Sequence, residues 1–453
     1  MIRRLLVANR GEIALRIIRA CHELDVEAVA VYSTADADSL HVTAADARVC
    51  IGPPDPRASY LSISNLVAAA QTTGCEAVHP GYGFLSENTH FVRACADNDL
   101  IFVGPDAASM EELGDKSLAK QLMRRAGLPT IPGSDGVVRT VAEALVLADE
   151  VGYPILLKAS AGGGGRGMRV VEKPHDMERN FQAAASEAEV AFDNGELYLE
   201  KVIVDPHHIE VQIVGDGKGG VLTLGERDCS IQRRHQKLLE ESPSPLIDAA
   251  TRLRLVESVQ RACAAIRYRS AGTLEFLADE EQHFYFMEMN TRVQVEHPVT
   301  EMVTGIDIIR EQIRLAAGEP MVATGSVTPN GHAMEFRICA EDPARNFLPR
   351  GGRIERLVLP QGPGVRCDTH LYPGYTVPVN YDSLVAKVIV WDRDRPACIA
   401  RGRRCLEELV VDGIPTTREL HVDILGHPAF NEGRFSTSFL EEAQGDLSVL
   451  TGR

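Results

Sequence analysis

The sequence predicts a multidomain protein that combines α/β and α+β parts. Its 453 residues suffice for two to four domains of ordinary size. Over the first quarter of the chain, short apolar strands alternate with amphipathic helices, which is typical of a parallel sheet covered by helices. Strands dominate the middle third, where polar and apolar residues alternate, and this pattern indicates an antiparallel sheet. The last third is mixed.

The predicted elements of the first part are strands at residues 5–8, 26–32, 77–79 and 100–103, with a helix at 11–23. Ile13, Ile17 and Cys21 recur at helical spacing and give that helix its apolar face. This part is assigned residues 1–114, and a ligand crevice is expected where the carboxyl ends of the parallel strands meet.

The middle and last parts are assigned residues 115–331 and 332–446. The middle part begins with a predicted helix at 116–126. Its predicted strands, whose sheet is expected to turn one side toward water or a ligand, are residues 155–159, 168–171, 197–202, 208–215, 221–225, 273–278 and 284–290. The last part has predicted strands at residues 333–338, 352–358 and 385–390 and a predicted helix at 396–409.

Composition excludes several classes of function. The chain carries 47 basic and 64 acidic residues, a net charge of −17, which argues against a nucleic-acid-binding protein and against a polybasic membrane-surface protein. No run of 18 apolar residues is present. Ten scattered cysteines form no CxxC pair, which is typical of reduced thiols in a cytoplasmic protein.

A glycine-rich segment is the strongest single motif. Four consecutive glycines at residues 162–165 are followed by Arg166 and Gly167. The spacing formally matches GxGxxG, but strand-like residues follow where that motif requires a helix, and no Gly-Lys-Ser/Thr sequence occurs. We interpret the segment as a hairpin flap whose backbone N–H groups cover phosphates, with Lys158 near an α- or β-phosphate.

Two carboxylates are predicted to face each other across a hairpin. Glu288 and Asn290 share one face of the strand at 284–290, and Glu275 lies roughly opposite Glu288 on the preceding strand. Like charges in opposite positions are destabilising unless a cation lies between them. Two carboxylates and an amide oxygen suit Mg²⁺ that carries nucleotide phosphates.

Candidate anion-binding groups follow the hairpin. Arg292 and Gln294 offer donors to a planar anion, and Glu296, held near Arg292, is a candidate general base. Residues 232–237 (QRRHQK) form a predicted cationic loop that suits a polyanion such as ATP. Further candidates are His208, Glu210 and Gln212 on one strand face, Arg337, and the segment 381–383 that would orient Arg337.

Five segments, in this order, resemble the biotin carboxylases of the ATP-grasp fold. They are residues 7–14 (VANRGEIA), 79–88 (HPGYGFLSEN), 162–167, 232–237 and 288–298 (EMNTRVQVEHP). The resemblance covers nearly the whole chain. It implies an N-terminal α/β domain, a central ATP-grasp domain whose mobile lid (about residues 131–203) carries the glycine loop, and a C-terminal biotin carboxylase domain.

The resemblance also implies roles for individual residues. The nucleotide would contact Lys116, Lys158, Gly163, Gly164, Gly165, Gly167, Glu200, Lys201, Ile203, His208, Gln232 and His235. Magnesium or manganese would be bound by Glu275, Glu288 and Asn290, and bicarbonate by Lys237, Arg292, Gln294, Val295 and Glu296. Biotin would lie near Tyr82, Glu87, His208, Glu210, Gln232, Arg337 and Asp382. The implied catalytic group is Glu296, Arg337, Arg292 and Lys237.

The implied reaction is the first half-reaction of acetyl-CoA carboxylase in fatty acid synthesis. ATP and bicarbonate would form carboxyphosphate, and its CO₂ would add to biotin, whose enolate Arg337 would stabilise. None of the eight lysines lies between two methionines, as the modified lysine of biotin carriers does. Biotin is therefore expected on a separate biotin carboxyl carrier protein, and a separate carboxyltransferase is expected to use it. A homodimer is also expected.

Alternatives stay open at this level. Propionyl-CoA, pyruvate or urea carboxylase assemblies would use the same half-reaction, and the chain can also be a segment of a longer carboxylase. Another ATP-grasp ligase would share the glycine loop and the paired carboxylates without the set at residues 292–296. A dinucleotide-dependent oxidoreductase is a further alternative, which only residues 162–167 support. An inactive ATP-binding scaffold, which would keep the fold without turnover, is the last.

Overall fold

The N-terminal part is a five-stranded parallel sheet with helices packed on it, as predicted. The structure is a computed structural model that describes residues 2–160, 168–192 and 194–451. The strands are β1 (Arg4–Val7), β2 (Glu27–Ser33), β3 (Ala47–Gly52), β4 (Ala77–His79) and β5 (Ile101–Phe102). The helices are α1 (Gly11–Glu23), α2 (Leu40–Ala44), α3 (Ile63–Thr72), α4 (Thr89–Asp97) and α5 (Ala107–Gly114). The strand order is β3-β2-β1-β4-β5, so β1 lies at the centre.

A small antiparallel sheet with its own apolar core follows. Its region comprises α6 (Lys116–Arg125), α7 (Val141–Val151), β6 (Ile155–Ala159), β7 (Arg169–Val171), α8 (Met177–Phe192) and β8 (Leu197–Lys201). Strand β6 lies between β7 and β8, and Ile155 and Leu157 pack with residues of α7 and α8. The strands on both sides of the glycine loop thus agree with the predicted hairpin, whereas the loop, residues 161–167, lies outside the described residues.

A nine-stranded sheet forms the body of the rest of the molecule. Its central elements are β9 (His207–Asp216), β10 (Val221–Arg233), β11 (Gln236–Ser242), α9 (Ala249–Ala265), β12 (Arg269–Ala278), β13 (Phe284–Asn290), α10 (His297–Thr304), α11 (Ile308–Ala316) and β14 (Gly325–Ser326). The elements that follow are β15 (His332–Cys339), β16 (Glu341–Asp342), β17 (Leu348–Pro349), β18 (Gly352–Arg353), β19 (Arg356–Val358), β20 (Val365–Thr369), β21 (Thr376–Val377) and β22 (Leu384–Asp392). The chain ends with α12 (Arg395–Glu408), β23 (Val410–Asp412), α13 (Arg418–Gly426), α14 (Pro428–Asn431), α15 (Phe439–Glu442) and α16 (Ser448–Thr451).

The large sheet continues across the predicted boundary at residue 332. Its order is β13-β12-β9-β10-β11-β15-β22-β20, and β14 pairs with β10. Strand β11 pairs antiparallel with β15, so the strands of the middle part continue directly into those of the last part. Side chains from both parts can therefore meet on one face of a single sheet.

Strand β9 carries apolar side chains on one face and polar side chains on the other, as its alternating sequence predicts. Ile209, Val211 and Ile213 pack in the apolar core beneath α9, as the alternation predicts. The opposite face is expected to be wet or ligand-facing. Glu210 and Gln212 on that face are fully buried, so the face is not wet. The segment before α10 covers it, and side chains of that segment and of β10 satisfy the buried polar groups.

Several predicted boundaries are corrected. The strand predicted at 221–225 continues to Arg233, because Gly225 adopts φ +79° beside a register shift and forms a bulge rather than an end. The predicted cationic loop at 232–237 is a tight hairpin, in which Arg234 and His235 have positive φ between β10 and β11. The strand predicted at 352–358 divides into β18 and β19, which belong to separate two-stranded sheets.

Among the described residues, no helix has both the length and the apolar character needed to cross a bilayer.

Candidate active site

Three carboxylates line up across neighbouring strands on the buried polar face of the large sheet. Glu210 on β9 lies opposite Glu275 on β12, which in turn lies opposite Glu288 on β13. The predicted pairing of Glu275 with Glu288 is thus correct in register. Such a row is destabilising unless cations compensate it, and the surrounding elements supply them.

Lys237 on β11 is the central cation. Its Nζ lies 2.6 Å from Glu210 Oε2, 3.0 Å from Glu275 Oε1 and 2.7 Å from Glu296 Oε1. Burial disfavours the ammonium, but the three carboxylates outweigh burial and raise the pKa of Lys237 well above its usual value. Lys237 is therefore a fixed positive charge at the centre of the cluster.

Glu296 lies between two cations. Its Oε1 accepts from Lys237, and its Oε2 is 2.9 Å from Arg337 Nη2. Burial alone would raise the pKa of Glu296, but Lys237, Arg337 and Arg227 hold it well below the usual range. Glu296 is expected near Arg292 from the sequence, whereas its ion pairs are with Lys237 and Arg337.

A second pair of carboxylates supports Arg337. Arg337 Nε donates to Glu240 Oε1 at 2.5 Å, and Glu335 lies opposite Glu240 where β11 pairs with β15. Burial raises the pKa of Glu240 to about 7, although the ion pair with Arg337 opposes that shift. Burial also raises the pKa of Glu335 well above its usual value. The Arg337 guanidinium therefore has the ionised carboxylate of Glu296 on one side. On the other side are Glu240 and Glu335, whose pKa values are raised.

The buried Arg227 guanidinium connects β9, β10 and the segment before α10. It donates to Glu210, to Gln212 Oε1 at 2.8 Å, to Thr300 Oγ1 at 2.9 Å and to Gln294 Oε1 at 2.7 Å. The amide group of Gln294 donates in turn to Glu275 Oε1 at 2.7 Å. Gln294, a predicted bicarbonate ligand, is therefore held in place through both ends of its amide.

Arg292 is held at the rim of the cluster. Its Nε donates to Glu87 Oε2 at 2.8 Å, and its Nη2 donates to Asn290 Oδ1 at 2.9 Å. Glu87 also accepts from the backbone N–H of Thr291 at 3.0 Å. Glu87 was predicted near biotin; in the structure it fixes the segment that carries Arg292.

The predicted metal ligands lie around Glu275. Asn290 Nδ2 donates to Glu275 Oε1 at 2.8 Å, and His208 Nε2 lies 3.1 Å from Glu275 Oε2. Glu288 Oε2 is 2.8 Å from Lys116 Nζ, so this ammonium compensates the outer carboxylate. The oxygen donors of Glu275 and Glu288 fit a hard divalent cation such as Mg²⁺, and His208, Glu210 and Glu275 also lie close enough together to share an ion.

Four of the predicted nucleotide residues lie on α6, β6 and β8, namely Lys116, Lys158, Glu200 and Lys201. Lys158 Nζ lies 2.5 Å from Glu200 Oε2. Lys201 Nζ donates to the carbonyl groups of Gly152 and Tyr153, and Ile203 follows directly after β8. Gly163, Gly164, Gly165 and Gly167 fall outside the described residues.

Other predicted residues occupy the hairpin and the N-terminal side. Gln232 is the second-last residue of β10, and His235 is exposed at the turn. The Tyr82 hydroxyl donates to Glu12, and burial raises the pKa of Tyr82 well above its usual value. Asp382 was expected to orient Arg337, but its carboxylate accepts from the N–H of Leu384.

Family models match successive parts of the chain. The biotin carboxylase N-terminal domain matches residues 1–110, the ATP-binding domain of the carbamoyl-phosphate synthase L chain matches residues 115–324, and the biotin carboxylase C-terminal domain matches residues 335–442. The biotin carboxylase of Nostoc sp. is 53% identical over 440 residues, which cover 97% of this chain and 98% of that protein. The chain belongs to the biotin carboxylase family.

Solved biotin carboxylases share the whole fold. The biotin carboxylase of Campylobacter jejuni, solved as a β,γ-ATP complex, is 49% identical with a TM-score of 0.93 over 98% of this chain and 99% of that chain. The biotin carboxylase domain dimer of Hydrogenobacter thermophilus 2-oxoglutarate carboxylase, solved with MgADP, ADP and bicarbonate, is 48% identical with a TM-score of 0.92 over 99% of each chain. Membership in the biotin carboxylase family makes this chain an ATP-grasp ligase, with the ATP-dependent carboxylation of biotin as its activity.

Five residues of this biotin carboxylase site were not singled out from the sequence. They are Lys120, Arg227, Glu240, Glu335 and Lys387. For Lys120 a signal existed, because it lies four residues after Lys116 on a predicted helix and so shares its face. Glu240 gave no signal, because no strand is predicted at residues 238–242. Glu335 lies in the predicted strand at 333–338, but its pairing with Glu240 depends on β11.

Proposed function

We propose that the chain carboxylates N1′ of biotin through carboxyphosphate, as the first half-reaction of acetyl-CoA carboxylase in fatty acid synthesis. The observation that carries this proposal is the position of Glu296 between Lys237 and Arg337, at 2.7 and 2.9 Å. A carboxylate base held between two cations suits a reaction in which an anion must be bound, deprotonated and then aligned with a phosphate.

The bicarbonate site would use Lys237, Arg292, Gln294, the Val295 backbone and Glu296. In the ligand-free chain the pKa of Glu296 lies well below its usual range, which makes Glu296 a weak base. Bound bicarbonate adds a like charge and competes for Lys237, and both effects raise the pKa of the carboxylate. The substrate therefore activates its own base.

Phosphoryl transfer would begin when this bicarbonate attacks the γ-phosphate of ATP, releasing ADP. Lys237 balances charge at the developing carboxyphosphate, while Lys116 and Lys158 hold nucleotide phosphates. Glu275 and Glu288 would hold the Mg²⁺ that accompanies ATP, with Asn290 beside them. That ion supplies charge neutralisation to the phosphates.

The second step would carboxylate biotin. Carboxyphosphate breaks down to CO₂ and phosphate, phosphate removes the N1′ proton of biotin, and the resulting enolate attacks CO₂. Arg337 is suited to stabilise that enolate, because its guanidinium is held by Glu240 at 2.5 Å and by Glu296 at 2.9 Å. Tyr82, Glu87, His208, Glu210, Gln232 and Asp382 remain the proposed surroundings of biotin.

A carrier protein that bears biotin, a carboxyltransferase and a second copy of the chain are the proposed partners. Support for a carrier is that none of the eight lysines lies between two methionines. We place the enzyme in the cytoplasm, since all ten cysteines are free thiols. A 2-oxoglutarate carboxylase assembly is the second candidate, because a relative with that name is 48% identical over 98% of this chain.

The test is ATP cleavage by the purified chain. We expect ADP release to require both bicarbonate and biotin. Arg337→Ala should keep nucleotide binding but lose biotin carboxylation, and Lys237→Gln should lose bicarbonate-dependent ATP cleavage. Full carboxylation by Arg337→Ala, or unchanged bicarbonate dependence in Lys237→Gln, would contradict the assigned roles.

The acceptor is tested separately. The chain is incubated with biotinylated carriers of an acetyl-CoA carboxylase and of a 2-oxoglutarate carboxylase, and carboxylated carrier is measured. Faster carboxylation of the acetyl-CoA carboxylase carrier supports fatty acid synthesis, whereas preference for the other carrier overturns that assignment.

A further inference from the structure

Three lysines approach one another where α6 meets the small sheet. Lys116 and Lys120 lie one helical turn apart on α6, and Lys158 lies on β6. The side chains of Lys120 and Lys158 are only 18% and 23% exposed. Ammonium groups are seldom buried together without a function or full compensation.

The compensation is incomplete. Lys120 and Lys158 share one carboxylate, Glu200, with Lys120 at Oε1 and Lys158 at Oε2. Lys116 takes the other nearby carboxylate, that of Glu288. Among the described residues, these three ammonium groups thus form ion pairs with two carboxylates, in a chain of net charge −17.

Both inner ammonium groups lie over the same aromatic ring. Lys120 Nζ is 5.2 Å and Lys158 Nζ is 5.9 Å from the centroid of Tyr198 on β8. On the same strand, Glu200 joins the two lysines, and with Lys201 it belongs to the predicted nucleotide contacts. A nucleotide phosphate that contacts Lys158 therefore has the ammonium group of Lys120 within reach.

We propose that Lys120 is an additional nucleotide-binding residue, whose ammonium leaves Glu200 and contacts the phosphates of ATP beside Lys158. This inference rests on the proposed function only in taking ATP as the nucleotide. The triphosphate supplies the negative charge that Glu200 and Glu288 leave unbalanced, and a compact ammonium suits a phosphate oxygen in a narrow site.

The charge state of the pair supports this role. Burial and the charges of Lys158 and Lys116 together lower the pKa of Lys120 to about 7, although Glu288 opposes the shift. Burial and Lys116 lower the pKa of Lys158 to about 8. The groups that face Lys120 are Lys116, Lys158, Tyr198, Glu200 and Glu288. A bound polyanion reverses these shifts, so nucleotide binding near neutral pH should take up protons.

Calorimetric titration of the full chain with MgADP tests the proposal. Lys120→Met should weaken MgADP binding at least tenfold and leave adenosine binding within twofold. Titrations at pH 7.5 in two buffers of different ionisation enthalpy should show proton uptake by the unmodified chain and less uptake by Lys120→Met. Lys120→Gln provides a second variant if the methionine protein fails to fold, and the exposed Lys218→Met is the matched control.

Unchanged MgADP affinity and proton uptake in a folded Lys120 variant would overturn the proposal. An equal loss for adenosine and MgADP would overturn the phosphate contact. Because binding is measured without bicarbonate and biotin, failure of the proposed carboxylation leaves this result interpretable. If the unmodified chain binds MgADP with proton uptake that Lys120→Met lacks, the role of Lys120 stands whatever reaction follows.

Discussion

At the scale of single residues, Glu240 differs from a surface carboxylate in its burial and in its neighbours. Its side chain is fully buried beside Glu335, and it accepts a hydrogen bond from Arg337. Burial disfavours its charged form, whereas Arg337 favours it, and the outcome is a pKa of about 7. The charge next to Arg337 therefore changes within the physiological pH range.

Glu240→Gln should change how stability depends on pH. The folded chain keeps a proton on Glu240 between pH 4.5 and about 7, whereas the unfolded chain has released it. Stability from this group therefore falls as pH rises through that window, by about 1.4 kcal/mol for each unit of pKa difference. The thermal midpoint of Glu240→Gln relative to the unmodified chain should rise from pH 5 to about pH 7 and then level off, because above that pH both the folded and the unfolded chain have released the proton.

The control is Glu281→Gln, which removes a carboxylate from an exposed residue of the β12–β13 turn. A midpoint difference that stays constant with pH for Glu240→Gln would show that Glu240 does not titrate in this range. The pH dependence of biotin carboxylation should shift in the same variant, since the side chain at position 240 that accepts from Arg337 is then neutral at every pH.

At the scale of elements, the β12–β13 hairpin holds two carboxylates in opposite positions. Glu275 is compensated by Lys237 and contacts His208 inside the protein, whereas Glu288 pairs with Lys116 near the surface. The side chains of Glu288 and Lys116 are 31% and 51% exposed. Such a partly exposed pair contributes about 1 kcal/mol or less to stability, so the position of Glu288 is better explained by a ligand.

Glu288→Gln should separate binding from stability. The thermal midpoint should move by no more than about 3 °C, because a small loss of free energy shifts a chain of this size little. MgADP affinity should fall at least tenfold, while affinity for ADP without Mg²⁺ should change less than threefold. Calorimetric titrations with and without Mg²⁺ measure both, and an equal loss in the two would show that Glu288 contacts the nucleotide rather than the ion.

Alternation made the polar face of β9 and the facing pair Glu275 and Glu288 predictable from sequence. Two features made the rest of this sheet unpredictable from the sequence. Gly225 reads as a strand end but forms a bulge, and the basic residues after it read as a loop but form a hairpin. Bulges and left-handed turn residues depend on tertiary pairing, which no local pattern records. For this reason β11 and its Glu240 could not be predicted.

At the scale of the whole molecule, one sheet brings distant parts of the chain to a common site. Lys237 lies on β11, Arg337 on β15 and Lys387 on β22, which are successive strands of that sheet. The N-terminal part adds Glu12 from α1. The sequence could identify Arg337 through resemblance, but a buried lysine such as Lys387 is indistinguishable from a surface lysine until the long-range pairing is known.

Lys387 joins the N-terminal part to the segment before α10. Its Nζ donates to the carbonyl oxygen of Val295 at 2.9 Å and lies 3.2 Å from Glu12 Oε1. Burial disfavours its charge, but Glu12, Glu335 and Asp368 raise its pKa above the usual value. A permanent ammonium therefore fixes the backbone at Val295.

Lys387→Met should disturb bicarbonate binding from a distance. Without the ammonium, the Val295 carbonyl loses its donor, and the buried Glu12, which keeps the hydrogen bond from Tyr82, loses its cationic partner, which costs about 3–5 kcal/mol if the carboxylate stays charged. We expect the KM for bicarbonate to rise at least tenfold and the KM for ATP to change less than twofold in steady-state assays. Lys387→Met combined with Glu12→Gln removes both charges and should restore the thermal midpoint without restoring the KM for bicarbonate. If the folded double variant binds bicarbonate as the unmodified chain does, Lys387 does not position Val295.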